Sequence, residues 1–184
     1  MLIDIAFAFW FLLPAAIANV TPIFASRIPG LKQWNTPLDG GKRLRGKEIL
    51  GTHKTWRGII TGLITATIVF ALQQQAYIQW EWVRELSDPA NYQQLPLILG
   101  TMLGLGALGG DAIESFFKRQ FGIKSGNAWV PFDQIDYIIG AILLSLLFIV
   151  LPFHLYIIMA VVWFLMHLIS SYIGWLLGLK KKPI

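Results

Sequence analysis

The chain contains no cysteine, so it can form neither a disulfide nor a thiolate-ligated metal site. Charged side chains are also scarce: they make up 14% of the 184 residues, whereas a soluble domain carries about a quarter. Hydrophobic residues account for 55% and the mean hydropathy is +0.60. This composition excludes an ordinary soluble enzyme and is typical of an integral membrane protein. In a membrane protein, the net charge of +5 suits the lipid bilayer or an anionic substrate better than nucleic acid. We therefore expect no nucleic-acid partner.

Long apolar runs divide the chain. They predict five transmembrane helices, at about residues 2–20, 56–72, 95–117, 134–151 and 155–177, since roughly 20 apolar residues cross a bilayer. The connections at 21–57 and 118–131 are polar and contain many glycines and prolines, as loops do. We therefore predict a single all-α transmembrane domain over residues 1–184, built as a bundle of five helices with two polar loops.

The first apolar run has a second interpretation as a signal peptide. Ala16-Ile17-Ala18 resembles a cleavage site made of small residues. However, Asp4 is present and no Lys or Arg precedes the run, whereas a signal peptide begins with a positively charged region. These residues favour a membrane span.

The positive charges lie on one side of the predicted bundle. With five spans, the two polar loops and the C-terminus share a side, and every Lys and Arg except Arg84 lies there. Short loops rich in Lys and Arg stay in the cytoplasm. The pattern predicts a multi-pass protein of the cell membrane with its N-terminus outside and its polar loops, with any active site, facing the cytoplasm.

Polar residues with helical spacing lie near the end of the third run. Four of them share one helix face, since they are spaced i, i+4, i+7 and i+8: Asp111, Ser115, Lys118 and Arg119. Asp111 is ~16 residues, or roughly 24 Å, into the span, where a carboxylate costs about 2–3 kcal/mol and normally faces a cavity or a partner. We interpret Asp111 as functional and Glu114 as the i, i+4 ion-pair partner of Lys118.

A pair of acids begins the fourth run. Asp133 and Asp136 are spaced i, i+3, so both project from one side of a first helical turn. Two carboxylates this close repel each other unless a cation lies beside them, and Mg²⁺ is usually held by one or two carboxylates together with substrate phosphates. Helix capping is the alternative, because Asp is favoured at an N-cap and in the first turn. The pair alone leaves both interpretations open.

Basic residues lie where the chain enters the second span. Lys54 and Arg57 surround Trp56, and interfacial Trp with snorkelling cations is common in membrane proteins. The functional alternative is a phosphate clamp, in which Gly58 permits a close approach to the backbone. Lys124 adds a cation in the second polar loop.

The fifth run carries one polar stripe, formed by His167, Ser170 and Ser171. A histidine inside a helical bundle is more often a hydrogen-bonded structural residue than a ligand. Acids, cations and glycines at one membrane boundary suit a polyphosphate held with Mg²⁺, with a lipid substrate that enters from the bilayer. The alternative is a non-catalytic protein, an anion transporter or a scaffold for acidic lipid, which would gain nothing from the pair Asp133 and Asp136.

These residues resemble a known family. The segments that carry the resemblance are Gly110-Asp111, Ser115-Phe116-Phe117-Lys118-Arg119, Gly122-Ile123-Lys124-Ser125-Gly126, Pro131-Phe132-Asp133-Gln134-Ile135-Asp136, Thr36-Pro37-Leu38-Asp39 and Lys54-Thr55-Trp56-Arg57-Gly58. Together they are similar to the CDP-archaeol synthase family, which is related to the phosphatidate cytidylyltransferases. The resemblance implies five transmembrane helices and an enzyme that joins CTP to an unsaturated archaeal ether-lipid phosphate, or to a phosphatidic acid-like lipid, and releases pyrophosphate.

The resemblance and the chemistry of phosphate groups together suggest a role for each residue. Catalytic residues would be Asp111, Asp133, Asp136 and Lys118, and the three aspartates would hold Mg²⁺ as cofactor. We expect Lys118, Arg119 and Lys124 to bind the triphosphate of CTP, and Lys54 and Arg57 to bind the lipid phosphate or pyrophosphate. Ser115 is also expected to bind substrate, and weaker candidates for positioning it are Asn19, Asn35 and Asp39.

Overall fold

The computed structural model describes residues 1–124, 127–176 and 178. Within them the chain forms seven helices and one hairpin: α1 (Leu2–Ala25), α2 (Pro29–Lys32), β1 (Arg43–Leu44), β2 (Lys47–Glu48), α3 (Trp56–Gln79), α4 (Glu81–Leu86), α5 (Ile98–Gln120), α6 (Phe132–Ser145) and α7 (Phe153–Leu176). Residues 125–126 of the second polar loop and the basic residues 180–182 lie outside this description. The expected helical class is confirmed.

Three of the described helices, α1, α3 and α7, are long and apolar enough to cross a membrane. The other two long helices differ in composition and length. Glycines and two carboxylates lower the hydropathy of α5, and α6 has 14 residues, or about 21 Å of helix against a hydrocarbon core of about 30 Å. The prediction of five spans therefore stays a prediction for α5 and α6.

Helix α3 is longer than the second predicted span, which ended at residue 72. It continues to Gln79, and the side chains of two glutamines beyond residue 72 find partners inside the protein. Gln73 donates to the carbonyl of Trp10 at 2.5 Å, and Gln74 donates to the carbonyls of Tyr92 and Leu95 at 2.9 and 2.7 Å. These donated bonds engage the amide nitrogens of both glutamines, while Gln73 Oε1 is buried without a hydrogen-bond partner.

Helix α6 is shorter than the fourth predicted span, 134–151. The backbone leaves the helix after Ser145, whose carbonyl accepts from the amides of Phe148 and Ile149 at 2.9 and 3.0 Å. The amide of Leu151 then donates to the hydroxyl of Tyr156 at 2.7 Å. From this turn Phe148, Ile149 and Leu151 pack into the core, whereas Leu147 and Val150 are exposed.

Helices α5 and α6 pack backbone against backbone through glycines. A Cβ atom added at Gly106 would collide with the carbonyl oxygen of Gly140, and one added at Gly140 would collide with that of Gly106. Gly110 meets the carbonyl of Asp136 in the same way. Small residues permit this close approach of helices. As a result, the acidic ends of α5 and α6 lie side by side.

Aromatic packing forms the opposite end of the bundle. Phe7 and Phe11 of α1 and Phe70 of α3 are fully buried there with Tyr92. The Tyr92 ring stacks on Phe70 and on Tyr77, with ring centroids 5.5 and 6.0 Å apart. Buried aromatic pairs add about 0.5–1.5 kcal/mol each beyond their area, so this end is a rigid support for the charged end.

The loop between α1 and α3 folds over the end of α5. Lys47 on β2 donates to the carbonyl of Gln120 at 2.5 Å, and the Gln120 side chain donates back to the carbonyl of Glu48 at 3.4 Å. The Asp39 carboxylate accepts from the amides of Gly41 and Leu50, both at 2.9 Å. These bonds close the hairpin into a cover over the charged end of the bundle.

The same loop sets the start of α3. Thr55 caps the helix by accepting from the amide of Gly58 at 3.2 Å, as an N-cap threonine does. The amide of Leu38 donates to the carbonyl of Lys54 at 2.8 Å, which holds the backbone at that lysine. The loop thus positions the Lys54 side chain toward α5.

Candidate active site

A cavity of about 230 Å³ lies where α1, α3, α5, α6 and α7 converge under the loop cover. Its described lining contains four carboxylates and three Lys or Arg side chains: Asp111, Glu114, Asp133, Asp136, Lys54, Lys118 and Arg119. Asn19, Leu50, His53, Ser115 and His167 complete the lining. Charge of both signs is therefore concentrated in one small volume.

Three of the carboxylates form a group. One oxygen each from Asp111, Glu114 and Asp136 lies within 4.8 Å of the other two. The Oε1 atom of Glu114 is buried without a hydrogen-bond partner, and no described cation lies within ion-pair distance of Asp136. Hard oxygen ligands in this number are those that Mg²⁺ and Ca²⁺ prefer. The donor set therefore fits a divalent cation.

Two lysines neutralise the remaining negative charge. Lys54 Nζ lies 2.5 Å from Asp111 Oδ2, and Lys118 Nζ lies 2.5 Å from Asp133 Oδ1 and 3.7 Å from Glu114 Oε1. The second oxygen of Asp133 accepts from the amide of Trp129 at 2.7 Å. Asp133 is thus fully engaged, and it fixes the Lys118 ammonium beside the other acids.

Arg119 differs from the two lysines, because among the described residues no acidic side chain of the cavity pairs with it. Its side chain is 8% exposed, and its Nε and Nη1 atoms are buried with no hydrogen bond. Across the described chain, no carboxylate forms an ion pair with it. An unpaired buried cation costs several kcal/mol, on the order of 3–5, compared with a paired one. Arg119 is therefore available to an anion that enters the cavity.

Most of the predicted site residues meet in this cavity. The predicted face of α5 is observed, with Asp111, Ser115, Lys118 and Arg119 all lining it. Lys54, Asn19 and both predicted acids of α6 line it as well. The Glu114–Lys118 pair also forms, but Glu114 additionally belongs to the acidic group, a role that its i, i+4 spacing did not indicate.

Other predicted residues lie elsewhere. Arg57 and Asn35 line a neighbouring cavity, and Lys124 is exposed in the segment after α5. Asp39 lies in the hairpin cover, where backbone amides occupy both of its oxygens. For these residues substrate binding stays a prediction. His53, by contrast, lines the central cavity although it was not among the predicted site residues.

Apolar grooves reach the charged cavity from two sides. One, of about 830 Å³, follows α5 and α6 from Leu105 and Leu143 to Glu114 and Asp136. The other, of about 580 Å³, lies between α1, α6 and α7. It shares Asn19 and His167 with the charged cavity, and Ser170 and Ser171 line it as well. Apolar grooves that open onto a charged centre suit an amphiphilic molecule with its polar group at the charged end.

Comparison with known proteins identifies the family. The family described as CarS-like CDP-archaeol synthase matches residues 1–184. The CDP-archaeol synthase of Thermococcus onnurineus is 32% identical over 98% of this chain and 97% of its own, and that of Methanopyrus kandleri is 34% identical over 95% and 90%. The solved structure of an intramembrane enzyme for archaeal membrane lipids biosynthesis superposes with a TM-score of 0.70 at 29% identity, covering 89% of this chain and 92% of that one.

The match extends from α1 to the C-terminus, so it includes every element that lines the central cavity. It favours a catalytic role over that of an anion transporter or lipid scaffold. The chain belongs to the CDP-archaeol synthase family of membrane enzymes.

Proposed function

We propose that the protein joins CTP to a lipid phosphate, so that a CDP-activated lipid forms and pyrophosphate leaves. The observation that carries this proposal is the acidic group Asp111, Glu114 and Asp136 beside Lys54, Lys118 and Arg119 in one cavity. Such a set can hold a metal ion together with phosphate groups. The relatives named CDP-archaeol synthase support an archaeal ether lipid as the acceptor.

The acidic group would hold Mg²⁺. Asp111, Glu114 and Asp136 offer one oxygen each, and substrate phosphates and water would complete the six positions that this ion requires. When bound, the ion supplies positive charge to the phosphate oxygens and so lowers the repulsion between two polyanions. The orphan Oε1 of Glu114 gains a partner in this arrangement.

The cations would hold the triphosphate and the lipid phosphate. Arg119 offers Nε and Nη1, which have no other partner, to phosphate oxygens. Lys118 stays oriented by Asp133, so its ammonium points at the same volume. Lys54, in the segment just before α3, approaches from the side of Asp111 and would contact the second phosphate there.

The reaction needs charge stabilisation more than proton transfer. An oxygen of the lipid phosphate, already ionised at neutral pH, attacks the α-phosphorus of CTP. The bond from that phosphorus to the bridging oxygen of the β-phosphate breaks, and pyrophosphate leaves with the bonding electrons. Fixed Lys118 and Arg119 stabilise the charge that grows on the transferred phosphoryl group and on the leaving group. No general base is required.

The grooves account for a substrate that stays in the bilayer. Apolar chains would lie along α5 and α6 or between α1 and α7, with the phosphate at the charged end. CTP is water-soluble and would enter from the side of the hairpin cover. The distribution of Lys and Arg supports the cytoplasmic side of the cell membrane for that entrance.

Variants of the two acids of α6 test the proposed roles. Asp136→Asn removes a metal ligand, so turnover should fall by orders of magnitude and more Mg²⁺ should be needed for half-maximal rate. Asp133→Asn weakens the orientation of Lys118, so turnover should fall at an unchanged Mg²⁺ midpoint. The measurement is turnover of labelled CTP with a panel of lipid phosphates in neutral detergent, as a function of Mg²⁺. Glu85→Gln, at an exposed position of α4, is the matched control.

Two results would contradict the proposal. Near-normal turnover in Asp136→Asn would remove that acid from the metal site. Wild-type protein that forms no CDP-lipid with ether-linked or ester-linked lipid phosphates would support the non-catalytic alternative. A raised Mg²⁺ midpoint in Asp133→Asn would instead return Asp133 to the metal ligands, as its spacing from Asp136 suggested.

A further inference from the structure

A second polar cavity lies beside the charged one. It has a volume of about 610 Å³ and is enclosed by the ends of α1 and α3, by α2 and by the segment before α3. The described lining includes Ser26, Lys32, Asn35, Thr52, His53, Thr55 and Arg57, with Pro22 and Ile23. No acidic residue is among these. His53 lines both this cavity and the acidic one.

Arg57 gives this cavity a fixed positive charge. Its side chain is 6% exposed, and Nη1 donates to the carbonyls of Leu31 and Lys32 at 3.2 and 3.3 Å. The Nε atom has no partner, and no carboxylate in the described part of the chain forms an ion pair with this guanidinium. A buried cation held by carbonyls alone is incompletely compensated. An anion in the cavity would complete it.

The surroundings place the cavity at the level of lipid headgroups. Ile23 and Phe24 on α1, with Ile28 and Trp34 on either side of α2, are 56%, 60%, 50% and 40% exposed. Large apolar side chains next to Arg27 and Lys32 are typical of a segment at the membrane–water interface. Phosphate groups are concentrated at that level.

We propose that this cavity is a phosphate-binding site without metal ligands, distinct from the acidic centre. Arg57 and Lys32 supply the charge, and Ser26, Asn35 and Thr52 supply the hydrogen-bonding groups. The phosphate comes either from a lipid headgroup or from free pyrophosphate, and the proposed function supplies both sources. Because no carboxylate lines the cavity, binding there requires no divalent cation.

Titration calorimetry on the full chain in neutral detergent with EDTA tests the site. The two ligands are pyrophosphate and a short-chain lipid phosphate, dihexanoyl phosphatidate. Lys32→Gln is the main variant, because Lys32 is exposed and its replacement should leave the fold intact. Arg57, in contrast, also holds α2 through its hydrogen bonds to the carbonyls of Leu31 and Lys32. Lys42→Gln, an exposed lysine of the hairpin, is the control of equal charge.

At least one ligand should bind without metal, and Lys32→Gln should weaken it by about ten- to a hundredfold, the effect of one lost charge-assisted hydrogen bond. Lys42→Gln and Asp136→Asn should bind as the wild type does. Tighter binding of the lipid phosphate would assign the site to headgroups, and tighter binding of pyrophosphate to the leaving product. Binding of neither ligand, or an equal loss in Lys42→Gln, would overturn the inference. If Asp136→Asn loses turnover but still binds the ligand in EDTA, the phosphate site is distinct from the catalytic site, and either proposal can fail without the other.

Discussion

Replacement of Arg119 by Gln should weaken CTP binding without weakening the fold. In the protein alone, the Nε and Nη1 atoms of Arg119 are buried and donate to nothing. If both donate to phosphate oxygens in the complex, two charge-assisted hydrogen bonds are lost, at about 1.5–3 kcal/mol each. The sum of about 3–6 kcal/mol corresponds to a hundred- to ten-thousandfold loss of affinity, roughly.

The same variant should keep or raise the stability of the protein alone. An unpaired guanidinium in a residue that is 8% exposed carries a desolvation penalty, and the shorter, neutral amide of Gln carries less. The midpoint of thermal unfolding in detergent without ligand should therefore not fall. A site that is costly to the fold and useful to the ligand is typical of functional positions.

The assay is titration of CTP in neutral detergent with Mg²⁺, alongside thermal unfolding without ligand. Arg43→Gln, on the exposed hairpin, is the control for a general loss of positive charge. CTP affinity within threefold of wild type in Arg119→Gln would refute the reasoning. A lower unfolding midpoint with unchanged CTP affinity would show that Arg119 is structural.

Two further predictions concern packing and orientation. Gly140→Ala forces α5 and α6 apart and should cost about 1–3 kcal/mol, measured as a lower unfolding midpoint; Gly109→Ala, where an added Cβ meets nothing within 4 Å, should be neutral or slightly stabilising. Equal midpoints for the two variants would argue against the glycine contact. Single cysteines in place of the exposed Asp88 and Lys42 should react differently with an impermeant reagent in intact cells, Asp88→Cys being labelled and Lys42→Cys protected. The reverse labelling would invert the topology.

Local periodicity predicted the residues that share one helix. Asp111, Ser115 and Lys118 lie on the same face because α-helical geometry fixes their spacing whatever the helix packs against. The helix ends were predicted less well. Gln73 looks like a loop residue until its hydrogen bond to α1 is known, and that partner is 63 positions away in the sequence. Contacts between distant segments decide such cases.

The division of labour among the charged residues depends on packing between helices. Glu114 joins Asp136 because glycines bring the backbones of α5 and α6 together, and neither i, i+4 spacing nor composition reveals that approach. Arg57 was grouped with Lys54 because the two are three positions apart. At the start of α3 the side chains diverge, and Lys54 enters the acidic cavity while Arg57 enters its neighbour.

Under the proposed function, the ion pairs of the central cavity would make metal and nucleotide binding depend on each other. Lys54 and Lys118 now serve as counterions to Asp111 and Asp133. Under the proposed function, a divalent ion that takes over Asp111 frees Lys54 for a phosphate, and a phosphate that draws Lys54 away leaves Asp111 for the ion. Each ligand thereby raises the affinity for the other by the same factor, as linkage requires. The ion pairs between lysine and aspartate would thus be replaced by contacts from the aspartates to the metal ion and from the lysines to phosphate.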